Sequence, residues 1–435
     1  MSAEQAPPLW AAAPFVLLLA SIAVGPIAFR HGWHRHYPKV AFGLGALVVA
    51  GYAILRRGEL GRVLHAASEY TAFVALIGSL YVVASGVLVT IHAKGTTTAN
   101  VVFLAVGGAL SNLLGTTGAA MLLIRPYLRM NRGHAGLHHV PFFVFVVANV
   151  GGTLTPIGDP PLFLGYLRGV PFSWTAETIG VEWVATMALL LGLFAIVDQV
   201  HHRTTGREIR GPEKLGFEIA GARSFLFLLG ILALVLVQAH PFVRERQPIA
   251  GLAIALGMAI LAGAAYASTE RRVHAANEFS FEPLREVAIL FAGIFATMIP
   301  ALEYLERNAH AIGVEAPQTL YFASGLLSSV LDNAPTYLTF LATAVAQHGL
   351  SVDSPDDVRR MLAEPTGAAA VAAISSGAVF FGAMTYIGNG PNFMVKAIAE
   401  ASGTRVPSFF GYITRWAIPF LLPVLLVVGL VFFPA

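Results

Sequence analysis

The chain has 435 residues, 56% hydrophobic and only 12% charged, with a net charge of +3 and no cysteine. Soluble domains carry about 25% charged residues, so a water-soluble fold is excluded. The missing thiols exclude disulfides, thiolate metal sites and cysteine nucleophiles, and the excess Lys and Arg reads as cytoplasmic loops rather than a nucleic-acid partner.

Apolar runs are predicted at residues 9–29, 38–55, 69–91, 98–124, 141–169 and 180–198. A second set lies at 223–239, 247–268, 286–302, 318–346, 366–401 and 412–434. Most approach the roughly 20 residues of a spanning helix. The first run is long enough to span and carries no cleavable signal pattern. The expected organisation is a first repeat over 1–198, a basic cytoplasmic linker over 199–222 and a second repeat over 223–435.

The two sets match residue by residue. A shift of 217 pairs Glu69 with Glu286, and the stretch 108–111 (GALS) with 325–328 (GLLS). A shift of 230 pairs Gly152, Thr155, Ile157, Gly158, Pro161 and Phe163 with Gly382, Thr385, Ile387, Gly388, Pro391 and Phe393. The 13 additional residues fall in the polar loop 348–365, where insertion is tolerated. Glu69 and Glu286 open their apolar runs and read as interfacial.

The fourth run of each set is interrupted, by SNLLGTTG in 98–124 and by SSVLDNAP in 318–346. Read as re-entrant hairpins, they leave each half crossing five times, so the halves are inverted. One face then receives 18 of the 27 Lys and Arg, against 16 if the runs cross once. The positive-inside rule favours the hairpins and places both termini outside. The fold class expected is an all-α integral membrane protein with about ten transmembrane helices. It also has two re-entrant hairpins and two broken helices, at 141–169 and 366–401.

Each interruption holds helix-stopping and helix-starting residues. In TPIGDPP, Asp159 suits an N-cap and Pro160 the first helical position. In TYIGNGP, Asn389 or Gly390 can cap ahead of Pro391. In the hairpins, Asp332 or Asn333 precedes Pro335, and Thr116 or Thr117 follows Gly115. Irregular backbone at membrane depth must be buried in protein or line a wet cavity. Broken helices at matching positions of two repeats point to a secondary transporter's binding site. Intramembrane carboxylates are costly and usually functional, which singles out Asp159 and Asp332 as ligands for a cation that a proton displaces. The His-rich stretches HGWHRHYPK (31–39) and HAGLHH (134–139) match no zinc spacing and read as solvated loops. No nucleotide-binding G-x-x-x-x-G-K-[ST] motif occurs, so direct ATP coupling is not expected.

NVGGTLTPIGDPP followed by SSVLDNAPT resembles the ion-transporter superfamily with the citrate-transporter-like fold, over about 65–430. Sodium/proton antiporters and arsenite permeases are the branches most similar to it. The resemblance implies substrate and sodium sites at the hairpin and broken-helix tips, and often a homodimer. It points to Ser111 and Asn112 as the start of a Ser-Asn-Thr hairpin motif, although Leu113 stands in the threonine's place. The aspartate at 332 disfavours a dicarboxylate. The expected ion- or substrate-binding set is Ser111, Asn112, Thr116, Thr117, Asn149, Thr155, Gly158, Asp332, Asn333, Thr385, Asn389, Asn392 and Asp159. Sodium is expected at Asp159, Asp332 and Asn333. The function expected is Na+/H+ antiport in a bacterial inner membrane, the alternative being transport of citrate, a dicarboxylate or arsenite. No catalytic residue and no cofactor beyond Na+ and H+ are expected, and the only partners expected are the bilayer, the transported species and a second copy of the chain.

Overall fold

A computed structural model describes residues 7–28, 32–92, 94–206, 216–238, 243, 249–277, 279–308 and 316–434. The linker segment 207–215 lies outside these, as does His31.

The first half runs α1 (Ala13–Ala28), α2 (Trp33–Leu55), α3 (Leu60–Ser85), β1 (Leu88–His92), α4 (Thr97–Met130), α5 (His139–Val146), α6 (Pro160–Leu167) and α7 (Trp174–Thr205). After β2 (Gly216–Ala220) come α8 (Ser224–Gln238), α9 (Ile249–Ser268), α10 (Arg271–Ala276), α11 (Glu282–Asn308), α12 (Pro317–Ser328) and α13 (Asn333–Gln347). The chain ends with α14 (Pro355–Ala363), α15 (Pro365–Phe381), α16 (Gly390–Ala401), α17 (Phe409–Tyr412), a π-helical segment Ile413–Leu421 and α18 (Leu422–Phe432). Among the described residues eight helices are long and apolar enough to cross a membrane.

The exterior is apolar. Leu55 is 79% exposed, Ile249 78% and Val181 71%, far more exposed apolar surface than a soluble monomer shows. Asn, Ser and Thr side chains are instead buried at the centre, among them Asn100, Ser111, Asn149, Asn333 and Asn392. Hydrocarbon outside and hydrogen-bonded polar groups inside is the arrangement that lipid imposes.

The helix α4 folds back on itself. Gly115 has φ 73° and ψ 151°, a left-handed conformation that favours glycine. The side-chain amides of Asn100 and Asn131, 31 residues apart, exchange hydrogen bonds of 3.0 and 2.7 Å. A straight helix would hold them about 46 Å apart. The second interrupted run forms α12 and α13, both packed on α15.

Two expectations need correction. The run 69–91 does not stay helical: α3 stops at Ser85, and the β-branched stretch Leu88–His92 pairs antiparallel with Gly216–Ala220. Much of the expected linker 199–222 is therefore ordered, with α7 reaching Thr205 and β2 covering 216–220. This two-stranded ribbon ties the segment before α4 to the linker.

Candidate functional site

The breaks are built from the same local chemistry. After α5, Asn149 leaves helical geometry at φ −140° and ψ −85°, and a 3-10 turn covers Val150–Leu154. Thr155 is then extended, Asp159 is extended (φ −140°, ψ 142°), and Pro160 starts α6. The second break repeats this: a 3-10 turn at Gly382–Met384, Thr385 extended, Asn389 extended (φ −151°, ψ 139°), then α16. Neither Asp159 nor Asn389 uses its side chain as a cap, contrary to expectation. Asp332 does cap, with Oδ1 accepting from the Ala334 N–H at 3.1 Å.

The freed side chains converge. Asp159 is fully buried. Its Oδ1 accepts from the Thr116 hydroxyl at 2.7 Å and from Asn389 Nδ2 at 3.3 Å, and its Oδ2 accepts from Asn333 Nδ2 at 2.6 Å. Each of the four interruptions thus supplies one group to this centre. Asn333 Oδ1 is buried without a hydrogen-bond partner, an acceptor left over beside the carboxylate. Asn149 and Asn392 form the next layer: Asn149 Nδ2 donates to Asn392 Oδ1 at 2.7 Å, and Asn149 Oδ1 accepts from Asn389 Nδ2 at 3.2 Å.

Other expected site residues brace the breaks. Asn112 Nδ2 donates to the Gly151 carbonyl at 2.7 Å while its Oδ1 accepts from the Leu154 N–H at 2.8 Å. Ser111 donates to the Val147 carbonyl at 2.7 Å. Thr155 donates to the Asn112 carbonyl at 2.6 Å, and Thr385 donates to the Ser329 carbonyl at 2.7 Å. The Gly158 and Gly388 N–H groups each donate to the threonine hydroxyl three residues earlier. The threonine and glycine bonds recur at the shifts of 217 and 230 read from the sequence. Asn392 Nδ2 donates to the Gly382 and Thr385 carbonyls, both at 2.9 Å. Thr117 lines, together with Thr116, a small cleft with Pro156, Pro160 and Phe163.

A cavity of about 310 Å³ opens beside the centre. Asp332, Glu286 and Glu282 line it, with Trp33, Phe291 and Asn389. No Lys or Arg does so among the described residues. Asn389 both lines this cavity and reaches Asp159, so the buried carboxylate lies one side chain below it. Asp332 therefore faces the cavity rather than joining the hydrogen bonds on Asp159.

The glutamates of the repeat differ. Glu286 lines the cavity, but Glu69 is buried, not interfacial. Arg168 grips Glu69 through Nε at 2.7 Å and a second guanidinium nitrogen at 2.8 Å, and also pairs with Asp353. Arg62 adds a bond to Asp353 at 3.1 Å. Sequence reading missed this network, because it joins α3, the end of α6 and a distant loop. The expectation for the 134–139 histidines also fails, since His134, His138 and His139 are buried. The 31–39 stretch is not a loop either: α2 starts at Trp33, and Trp33 and Tyr37 are buried while His36 is exposed.

The model of a family described as putative citrate transport matches residues 4–433. The chain is also 27% identical over 200 residues to sodium/proton antiporter 1 of Arabidopsis thaliana. That stretch covers 44% of this chain and 34% of the plant protein. A family match over nearly the whole length, on apolar helices enclosing a buried polar centre, identifies the chain as a multi-pass membrane transporter of the putative citrate transport family.

Proposed function

We propose that the protein exchanges Na+ for H+ through Asp159. The observation that carries this is a single buried carboxylate on which all four interrupted segments converge, through Thr116, Asn333 and Asn389. A lone carboxylate among neutral partners is balanced by one positive charge, and either a proton or a Na+ supplies it. Oxygen ligands suit a hard cation. Asp159, the Thr116 hydroxyl and the unpartnered Asn333 Oδ1 are such oxygens. Competition of two cations for one site is antiport. The carboxylates lining the cavity favour cation entry, and the plant antiporter's name agrees with this reading.

The cavity is bounded by Trp33 and Glu282, next to the loops that charge assigns to the cytoplasm, so this state is inward-facing. The opposite end is closed by Glu69, Arg168 and Asp353. Both termini then lie outside the inner membrane of a bacterium, with two inverted halves. The bonds that recur at the repeat shifts support that division.

The test is exchange in proteoliposomes that enclose a pH dye. A Na+ gradient is expected to drive proton flux, and Asp159→Asn to abolish it. Flux surviving that change overturns the proposal. Asp332→Asn keeps an N-cap residue and removes only charge. Losing about 1 kcal/mol of attraction in the cavity raises Na+ half-saturation about fivefold.

A second reading, transport of an oxyacid such as citrate, rests on the family description and on the positive ends of the half-helices. Three carboxylates around the cavity oppose it. Saturable uptake of labelled citrate without Na+-driven proton flux selects this reading instead.

A further inference from the structure

A second polar cluster lies away from Asp159, at the C-terminal end of α7. His138 is the N-cap residue of α5 and His139 its first residue. Asp198 and His202 stand four residues apart on α7, so they share a face. His138 Nε2 lies 2.8 Å and His139 Nε2 3.6 Å from Asp198 Oδ1. His202 Nε2 lies 3.3 Å from Asp198 Oδ2. Asp198 and His139 are fully buried and His138 nearly so.

The cluster is incompletely satisfied. Asp198 Oδ2 and both ring nitrogens of His202 are buried without hydrogen-bond partners among the described residues. His202 Nε2 and Asp198 Oδ2 face each other at 3.3 Å without hydrogen-bond geometry, a pair of buried donor atoms that one shared cation could bridge. His139 is held at both ring nitrogens: Nε2 lies 3.1 Å from Asn131 Oδ1, and Nδ1 lies 3.1 Å from the Gly136 nitrogen and 3.3 Å from its carbonyl oxygen. Protein also closes the cluster over, with the Phe194 ring 5.6 Å and the Trp416 ring 6.1 Å from that of His138.

We propose that His138, His139 and Asp198, with His202 at the second carboxylate oxygen, bind one divalent transition-metal cation of the zinc type. Imidazole nitrogens with a carboxylate suit Zn2+, Co2+ and Ni2+ over Mg2+, which prefers oxygen donors and retains water. The three principal donor atoms lie within 4.8 Å of one another. A tetrahedral ion with bonds of about 2.0–2.1 Å sets its ligands about 3.3 Å apart, so small rotations of these side chains close the site. Ligation through Nε2 needs the ring proton of both His138 and His139 on Nδ1, a change of tautomer; on His139 that proton faces the Gly136 carbonyl at 3.3 Å. The bound ion would tie α7 to the head of α5, the helix that runs into the Asn149 break.

The test uses the full-length, tag-free protein in detergent, stripped with chelator and titrated with Zn2+ or Mg2+. Equilibrium dialysis is expected to give one tightly bound Zn2+ per chain. Zn2+ should raise the thermal unfolding midpoint, while Mg2+ at equal concentration leaves it unmoved. Co2+ should give the visible bands of a tetrahedral site. Asp198→Asn and His202→Gln are each expected to weaken binding at least tenfold, while Asp159→Asn leaves it unchanged. If Asp198→Asn fails to fold, His202→Gln decides. Binding no tighter than that of Mg2+, or Zn2+ affinity unchanged in the folded variants, overturns the site and assigns any bound ion to other histidines or to the Asp159 centre.

Discussion

Asp159 takes its hydrogen bonds only from neutral groups among the described residues, so each bond on its carboxylate carries weight. A bond to a charged group contributes about 1.5–3 kcal/mol. Asn333 makes the shorter of the two strongest bonds, at 2.6 Å, and holds the unpartnered oxygen. Asn333→Ala is therefore expected to cut exchange at least tenfold while the protein stays monodisperse and keeps its thermal midpoint within a few degrees. Asn112 works differently, since its amide staples the Gly151 carbonyl and the Leu154 N–H. Asn112→Ala loses two buried bonds, about 2 kcal/mol, and is expected to lower the midpoint first. Flux and melting measured on both variants check this, and the reverse pattern would refute the division into ion-facing and bracing residues. The sequence singled out Asp159 by its cost in an apolar run. It did not identify Asn333, rather than Asp332, as the partner across 174 residues, because two neighbouring side chains on a helix start point in different directions.

The broken helices depend on close backbone approach. Gly158 sits against the Gly152 carbonyl with no room for a Cβ, and a Cβ on Gly388 would meet the Gly382 oxygen at 2.6 Å. Gly390, two residues further, has open space around it. Gly158→Ala is expected to destroy folded yield, while Gly390→Ala expresses and transports near the parent level. Size-exclusion profiles and flux decide, and a well-folded Gly158→Ala would show the turn to be more pliable than its geometry implies. These elements were legible because Pro, Gly and Asp punctuate apolar runs and the punctuation occurs twice. The Leu88–His92 strand was not, since an apolar β-branched stretch reads alike as a helix end and as a strand. Nor was burial of His138 and His139, because their partner Asp198 comes from a helix 60 residues away.

Across the molecule Glu69 and Glu286, paired in the sequence by the shift of 217, stand in different surroundings, one clamped by Arg168 and the other lining the open cavity. The proposed exchange requires the clamped end to open. Asp353 sits outside the spanning helices. Burial alone would raise its carboxyl, but Arg168, His65 and Arg62 outweigh burial and hold it below the ordinary 3.8. With the folded value depressed, the pairing stabilises at every pH above the unfolded value of about 3.9 and is lost only as pH falls through the folded one. The Asp353 carboxylate is thus charged over roughly pH 6 to 9, and its own titration contributes no pH dependence to exchange there. Asp353→Asn is expected to favour the outward-open state without moving the pH profile. With no native cysteine, Ala66→Cys beside Arg168 and Leu290→Cys in the cavity report the two ends to impermeant maleimides. Weakening the clamp by about 1 kcal/mol should speed labelling at 66 about fivefold and slow it at 290. Acceleration at both positions would mean a leak rather than a switch, and no change at either would show that the ion pairs do not hold the outer end shut.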